Sequence, residues 1–363
     1  MKKKVIVIGM TNILGGVETF IRNTYLNFDY SKFEVDFLHH SKSGILFEKE
    51  FKKNSSNIIY CEKFLRHPIK SYFRLKQIYL SGNYDIVHCN ACSANMLVYF
   101  LPVIFFKKKP LIVMHSHNGS SHKKLRHYIF RFILNKIVDV RYACSDVAGK
   151  WMYGGKYEFE VIPNGINLDS FRFNYEYRKS LRKTYDIKDN DVVLGSVGRL
   201  ENVKNHKYII DMMKELPYNY KYFIIGEGSL KKDLEEQIEK MNLRNRVFIV
   251  KNKLDVNEFY QMFDVFVMPS LFEGLPMVCI EAQTSGLPLI LSNNISKNTK
   301  LSENVCFIDL NNQIKWKNKI LEYAGLNLNR NNIDMKYLNK FDSRKVAEKI
   351  GKKFISESEK KWY

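Results

Sequence analysis

Long apolar runs are missing from this chain of 363 residues: none reaches the roughly 18 residues that cross a bilayer. Met1-Lys2-Lys3-Lys4 and the Val5-Ile6-Val7-Ile8 behind it begin like a secretory leader. Gly9 and the polar Thr11-Asn12 cut that run short and no small-residue cleavage site follows, so it reads as a first strand. Cysteine is sparse. The six are scattered, and Cys89 and Cys92 form a C-x2-C with no second pair, which argues against a zinc site and for free thiols in a reducing cytoplasm. No cluster of histidines has metal-ligand spacing. A G-x-G-x-x-G is lacking after Gly9, which removes the dinucleotide fingerprint. There is no internal repeat and no low-complexity tract. Acid is missing from one long window: residues 86–138 hold no Asp or Glu.

That window holds Lys107, Lys108, Lys109, Lys123, Lys124, Arg126, Arg131 and Lys136, beside the apolar run Met96 to Phe106. Two readings stay open. One is a basic face that meets an anionic membrane surface; the other is a buried helix with a solvated basic turn. The whole chain carries a net charge of +20, for which nucleic acid, anionic membrane and phosphorylated substrates are the candidate partners. No nucleic-acid reading motif accompanies the charge, so specific nucleic-acid binding is not expected.

Apolar content of 45% is ample for large cores, and the length suits two domains of about 150–180 residues. The first half alternates strands and helices. Val5–Ile8 is a strand, and Gly15-Gly16 precedes a helix from Val17 to about Leu26 with Val17, Phe20, Ile21 and Tyr25 at helical spacing. Further strands are expected at 33–38, 57–60, 85–88, 111–114, 140–144 and 161–162. Asp186 to Asp191 reads as a charged, solvated linker. A second alternating unit follows, with strands at 192–197, 222–225, 247–250, 265–268 and 288–291 completing its sheet. Residues 343–363 are helical, with Val346, Ile350 and Phe354 four apart. The pattern predicts α/β parallel sheets covered by helices on both faces, with ligands at the carboxyl ends of strands.

The stretch Ser270 to Gly286 carries the most chemistry. The strand at 265–268 exits through Pro269-Ser270 into a loop, Pro276 stands at the first helical position, and Gly286 with Pro288 stops the helix. Glu273 then lies just before a helix N-terminus and Glu281 lies inside the helix. The amides of Gly274, Leu275 and Met277 have no acceptor within the helix, which makes an anion site. Glu273 and Glu281 are at most roughly 12 Å apart along the helix, about the reach from a sugar ring across a diphosphate to a ribose.

The motif F-E-G-L-P-x4-E-A-x3-G-x-P over Phe272 to Pro288 resembles the E-x7-E signature of retaining GT-B glycosyltransferases of the GT4 family, glycosyl transferases group 1, the type found in bacterial capsular and exopolysaccharide biosynthesis. Four other elements match. Gly198-Arg199-Leu200 with Lys204-Asn205 resembles the family's G-R-L-x3-K-N, and Gly15-Gly16-Val17-Glu18 its G-G-x-E. Pro163-Asn164-Gly165-Ile166-Asn167 resembles its hinge, and Gly226-Glu227-Gly228 its G-x-G turn. Residues 39–110 match nothing specific.

The resemblance implies a GT-B fold: two Rossmann-like domains facing a central cleft. They would be residues 1–165, the acceptor side, with the helix 343–363 crossing back to it, and residues 166–342, the nucleotide-sugar side. It implies that Glu281 binds the ribose and Glu273 the sugar hydroxyls. Arg199 and Lys204 would neutralise the departing diphosphate together with the Gly274 and Leu275 amides, needing no metal or other cofactor. Gly15 and Gly16 would approach a phosphate, and the base would sit against backbone near Val250. A loop histidine would face the donor sugar, with His117 first and His115 second; His88, His39 and His40 have weaker claims. Asp189-Asn190-Asp191 spells D-x-D but precedes a strand, so it reads as solvated linker. The implied activity is retaining transfer of a hexose from a nucleotide sugar, UDP-linked, to a lipid-linked or growing saccharide at the inner face of the plasma membrane. The rivals are a nucleotide-sugar epimerase of the same architecture and a non-catalytic partner subunit.

Overall fold

The computed structural model describes residues 1–363 except Lys42, Leu65, residues 120–123, residues 252–255 and Tyr363. Lys123 of the basic window therefore lies outside the described residues, as does the side chain of Lys124. The chain divides into two units: Met1–Ile166 with Lys340–Tyr363, and Asn167–Asn339.

The first unit is built on seven parallel strands: β1 (Lys3–Ile8), β2 (Phe33–His39), β3 (Ile58–Tyr60), β4 (Ile86–Ala91), β5 (Leu111–Ser116), β6 (Val140–Ala143) and β7 (Glu160–Val161). They lie in the order β3-β2-β1-β4-β5-β6-β7. The central strands β1, β4 and β5 are rich in Val and Ile and bury nearly every residue, as strands covered on both faces must. Helix α1 (Gly16–Tyr25) and the C-terminal helix Ser343–Trp362 cover one face; Phe20, Ile21 and Tyr25 share a core with Val346, Ile350 and Phe354. The other face is covered by α2 (Pro68–Gly82), α3 (Lys124–Ile137) and α4 (Asp146–Tyr153). The run Met96 to Phe106 is not one continuous helix and, apart from the exposed Phe105, is buried or half-buried. It forms two 3-10 turns, Ala94–Tyr99 and Val103–Phe105, and Leu97, Val98, Tyr99, Phe100 and Val103 are buried in that second core. Pro102 interrupts the run between the two turns.

The chain returns to this unit beside the Asn164-Gly165 turn. Ile166 and Asp342 form a parallel bridge, with Ile166 N donating to Phe341 O at 2.8 Å and Ser343 N to Ile166 O at 2.9 Å. A Cβ on Gly165 would lie 2.8 Å from the Ser343 Cα, so glycine permits this close pass.

The second unit has six parallel strands: β8 (Val192–Val197), β9 (Tyr220–Ile225), β10 (Val247–Val250), β11 (Val265–Met268), β12 (Leu289–Ser292) and β13 (Val305–Ile308). Their order is β10-β9-β8-β11-β12-β13. The sequence reading ended this sheet at residue 291 and so missed β13. Its four residues, Val-Cys-Phe-Ile, are too few for a period to show, and two of them are only half-buried at the sheet edge. The segment 186–191 is exposed at Asp186, Lys188, Asp189 and Asn190, as read, but it is a turn within this unit and not a linker between domains. Asp191 is buried, its carboxylate accepts from Lys188 N and its carbonyl from Arg182 Nη2.

In each unit the strand order reverses beside the first strand, between β1 and β4 and between β8 and β11. Such switch points open a crevice at the carboxyl ends. The helices α5 (Asn257–Met262) and α6 (Met277–Thr284) flank β11. Arg330 reaches the C-terminal ends of both, while Arg178 also donates to the Gln261, Met262 and Phe263 carbonyls at the end of α5. Arg330 donates to the carbonyls of Tyr260 (2.9 Å), Gln261 (3.0 Å), Phe263 (3.0 Å) and Ser285 (2.9 Å), and its guanidinium stacks on Phe173 at 4.2 Å. These are the carbonyls that a helix end leaves without an internal partner. Burial, with Arg178 nearby, draws the Arg330 pKa down to about 9. Arg330→Met keeps volume but leaves the Tyr260 and Ser285 carbonyls without their side-chain donor, while Arg178 still serves Gln261 and Phe263, so thermal or urea unfolding should show a loss of about 2–3 kcal/mol. A midpoint equal to the parent's would show that other donors replace it.

Candidate functional site

The second unit gathers the sequence-predicted residues at its switch point. Gly198 follows β8 with φ +156, and a Cβ there would lie 3.2 Å from Lys204 Cε. Glycine thus leaves room for the Lys204 side chain to run along the strand exit. The Gly226-Glu227-Gly228 turn packs backbone to backbone on the Gly198-Arg199-Leu200 turn: a Cβ on Gly226 would sit 1.8 Å from Gly198 O, and one on Gly228 2.4 Å from Leu200 O. These glycines serve loop-on-loop contact.

Lys204 reaches Glu273, with Nζ 2.6 Å from Oε1 and both side chains under one-fifth exposed. Two residues predicted to meet different parts of a ligand therefore pair with each other here. Arg199 is far more open and pairs with Glu201 at 2.9 Å. The Glu273 loop is tied to both sides: Leu271 N donates to Val203 O, and Glu273 bridges to Ile295. Pro276 is the residue before helix α6, which begins at Met277, one position later than expected. Among the described residues the amides of Gly274 and Leu275 have no acceptor, and a Cβ on Gly274 would meet open space.

Glu281 lies in α6 and is buried; its Oε2 accepts from the Tyr260 hydroxyl of α5 at 2.6 Å. Burial lifts its pKa to about 7 against the pull of that hydrogen bond. Tyr260 was missed by sequence reading. It looks like one more core aromatic, and only the packing of α5 on α6 shows its hydroxyl aimed at an acid. Another missed residue is His206, whose Nε2 lies 3.3 Å from Arg199 O and whose Nδ1 lies 3.4 Å from the Tyr222 hydroxyl. Burial lowers its pKa to about 4, so it holds the Arg199 turn as a neutral ring. Val250 ends β10, half-buried, with its carbonyl accepting from Gly226 N at 2.9 Å.

The first unit places the remaining candidates at the ends of β1, β4 and β5. Gly15 precedes α1 in extended conformation, and Gly16 opens the helix with free space around it. Glu18 in the first turn is buried and accepts from Thr11 Oγ1 at 2.7 Å, so a carboxylate already occupies the favourable end of this helix dipole. His117 is half-buried, and His115 is fully buried beneath it, the two rings stacked with centroids 4.3 Å apart. Phe20 packs against both. Burial lowers the His117 pKa to about 3 and, with the neighbouring His117 and His88 rings, holds that of His115 well below the usual range, so both rings are neutral. His117 Nε2 is 3.0 Å from Asn90 Oδ1, so Nε2 carries the hydrogen and Nδ1 presents a lone pair. His117 Nδ1, Asn90 Nδ2 and Asn164 Oδ1 are buried without a partner among the described residues. Hydroxyl groups could satisfy all three, as acceptor and as donor. Asn90, like Tyr260, carries no signal in the sequence beyond its place at a strand end. His88 and His39 are buried, and His40 bonds Cys61 O.

Two family models match the chain: "Glycosyltransferase Family 4" over residues 14–170 and "Glycosyl transferases group 1" over residues 178–332. The chain belongs to the GT4 family of glycosyltransferases. This family 4 enzyme is of the retaining, metal-independent class. It is 28% identical over 298 residues to the putative glycosyltransferase EpsF of Bacillus subtilis (strain 168), covering 78% of this chain and 77% of that one. It is 27% identical over 310 residues to an Escherichia coli UDP-Gal:alpha-D-GlcNAc-diphosphoundecaprenol alpha-1,3-galactosyltransferase, covering 79% of each. The fold matches the crystal structure of Anabaena Alr3699/HepE in complex with UDP, with TM-score 0.77 and 17% identity over 98% of this chain and all of that one. The fold is GT-B.

The buried acid gives a test of its environment. Its folded pKa, about 7, lies above the ordinary 4.5, so the folded family 4 enzyme holds an extra proton between those values. Stability contributed by this group is therefore present at low pH and falls as pH rises through that window. Glu281→Gln mimics the protonated acid and escapes the loss. Its melting temperature relative to the parent should climb between about pH 5 and about pH 8, by the equivalent of roughly 3 kcal/mol. A pH-independent difference would mean that the carboxylate is not desolvated. Tyr260→Phe should move the transition to higher pH.

Proposed function

We propose that the protein transfers a hexose from UDP-hexose to a lipid-linked or growing saccharide in cell-surface polysaccharide biosynthesis. The observation that carries the reading is the second unit's switch point. Lys204 meets Glu273 beside the open Gly274 and Leu275 amides, and Arg199 stands exposed in the turn after β8 that leads to Lys204. That is the chemistry of a diphosphate site. The printed activity of the Escherichia coli relative supports a UDP-sugar donor and a diphospholipid acceptor.

In this reading Lys204 leaves Glu273 for the diphosphate, and Glu273 is released to accept hydroxyl hydrogens from the sugar. Glu281, ionised and steadied by Tyr260, accepts from the ribose. Backbone near Val250 lies against the base. In the first unit His117, held by Asn90, offers Nδ1 to a sugar hydroxyl, and the Gly15-Gly16 helix start lies against phosphate. The bond from the anomeric carbon to the phosphate oxygen breaks, and its electron pair leaves with UDP. The acceptor oxygen bonds the same face of that carbon, and its proton passes to the leaving phosphate oxygen. Retention then needs no protein nucleophile. The enzyme works peripherally at the cytoplasmic face of the plasma membrane, where such acceptors are anchored.

Calorimetry with UDP, alongside a transfer assay with UDP-hexoses and a diphospholipid acceptor, tests this. Arg199→Ala with Lys204→Ala should weaken UDP binding by on the order of a hundredfold, as expected for two charge-assisted contacts. It should also abolish transfer while the protein still unfolds cooperatively, with a melting temperature lowered by the loss of the Lys204–Glu273 pair. Undiminished UDP affinity, or isomerisation of the UDP-hexose without transfer, would remove the proposal.

A further inference from the structure

The two helical layers of the first unit have unlike outer surfaces. On one side, α1 and the C-terminal helix expose no large apolar side chain among the described residues. Their charges are satisfied locally, as in Lys353 with Glu357 and Lys349 with Glu160. On the other side, α3 carries Leu125, Tyr128, Ile129, Phe132 and Ile133, each between 43% and 78% exposed. Their spacing, i, i+3, i+4, i+7 and i+8, is one face of a helix. The inner face of α3 is already spent on the core through Leu134, with Phe130 and Ile137 packed against it. So α3 is apolar on two faces, and this unit has a core for only one of them. Phe73 of α2 and Phe105 add exposed rings to the same layer, whose buried sides all enter one core.

The charge on this helix has one sign. Arg126, Arg131 and Lys136 lie on α3 with no acid, inside the acid-free window. Arg131 lies 4.8 Å from the Tyr128 ring centre and Lys136 lies 4.4 Å from that of Phe132, so cations border the apolar stripe directly. The nearest acids in sequence stand off the stripe: Asp139 pairs with Lys361, and Asp146 starts α4. An apolar stripe edged by cations matches an anionic bilayer surface. A second copy of the chain is a poorer match, because it would bring like charges together. The stripe from Leu125 to Ile133 runs about 12 Å along the axis, two turns of contact for a helix lying in the plane of the membrane.

We infer that α3 is the membrane-docking element of this protein. Leu125, Ile129 and Phe132 would seat at the boundary of headgroups and acyl chains, with Arg126, Arg131 and Lys136 among anionic lipid phosphates. This deepens the membrane part of the proposed function and rests on it. The contact is assigned to α3, whereas the apolar run 96–106 beside Lys107, Lys108 and Lys109 goes mostly into the core.

The test is co-sedimentation of the full chain with vesicles of phosphatidylcholine alone and of phosphatidylcholine with phosphatidylglycerol. Binding should require phosphatidylglycerol and weaken at high salt. Ile129→Glu with Phe132→Glu should cut the partition coefficient at least tenfold, while the melting temperature and UDP affinity stay at parent values because both side chains face outward. An unchanged bound fraction in this double variant overturns the inference. So does a parent dimer in sedimentation velocity that the variant dissolves, since a second copy would then cover the face. A chain that binds vesicles through α3 but transfers no sugar would leave this inference standing and sink the transferase reading; transfer to a short water-soluble acceptor without vesicle binding would do the reverse.

Discussion

Arg330 is the constraint on which the second unit's site depends. One guanidinium serves four carbonyls at the ends of α5 and α6, and those helices carry Tyr260 and Glu281. Helix ends must find donors for their last carbonyls, and here Arg330 spans both helix ends while Arg178 adds donors at the end of α5. With the two helices held together, the Tyr260 hydroxyl meets the Glu281 carboxylate and both leave solvent. The raised pKa of Glu281 follows from that enclosure. Desolvation makes the acid sensitive to any hydroxyl donor that reaches it, because each hydrogen bond to the ionised form is stronger where water is excluded.

The neighbouring loop follows a second rule, close backbone approach. The Gly198 and Gly226 turns touch through main chain, which no side chain at Gly226 would allow. Room is left for Lys204, which lies beside Glu273 as a neutral pair. Arg199 is different: it is exposed, with only Glu201 against it, an arrangement worth little in water. The two cations therefore differ in burial and in partner.

In the first unit the chemistry is neutral and buried. His115 and His117 stack as uncharged rings over Phe20, and Asn90 sets which nitrogen of His117 holds the hydrogen. The outer surface of the same unit divides by layer. One side is closed by paired charges, while the other leaves an apolar stripe and cations facing outward along α3.

Most of the architecture was legible from residues alone. Runs of Val and Ile bounded by Gly, Pro and Asn mark buried parallel strands, because such strands need apolar side chains on both faces. The motifs around Arg199, Lys204 and Glu273 were legible because each stands at a strand exit or just before a helix, where backbone groups lack internal partners, and Glu281 follows at a fixed spacing within that helix. What folding alone decided is which groups meet. Tyr260 and Glu281 are 21 positions apart, Asn90 and His117 are 27 apart, and Arg330 is 45 or more from every carbonyl it serves. No local period encodes such contacts. They arise when helices and strands that are distant in sequence pack and must satisfy each other's buried polar atoms. The same holds for the run 96–106 and for α3: composition cannot tell a buried apolar face from an outward one until the sheet beneath has taken up all it can cover.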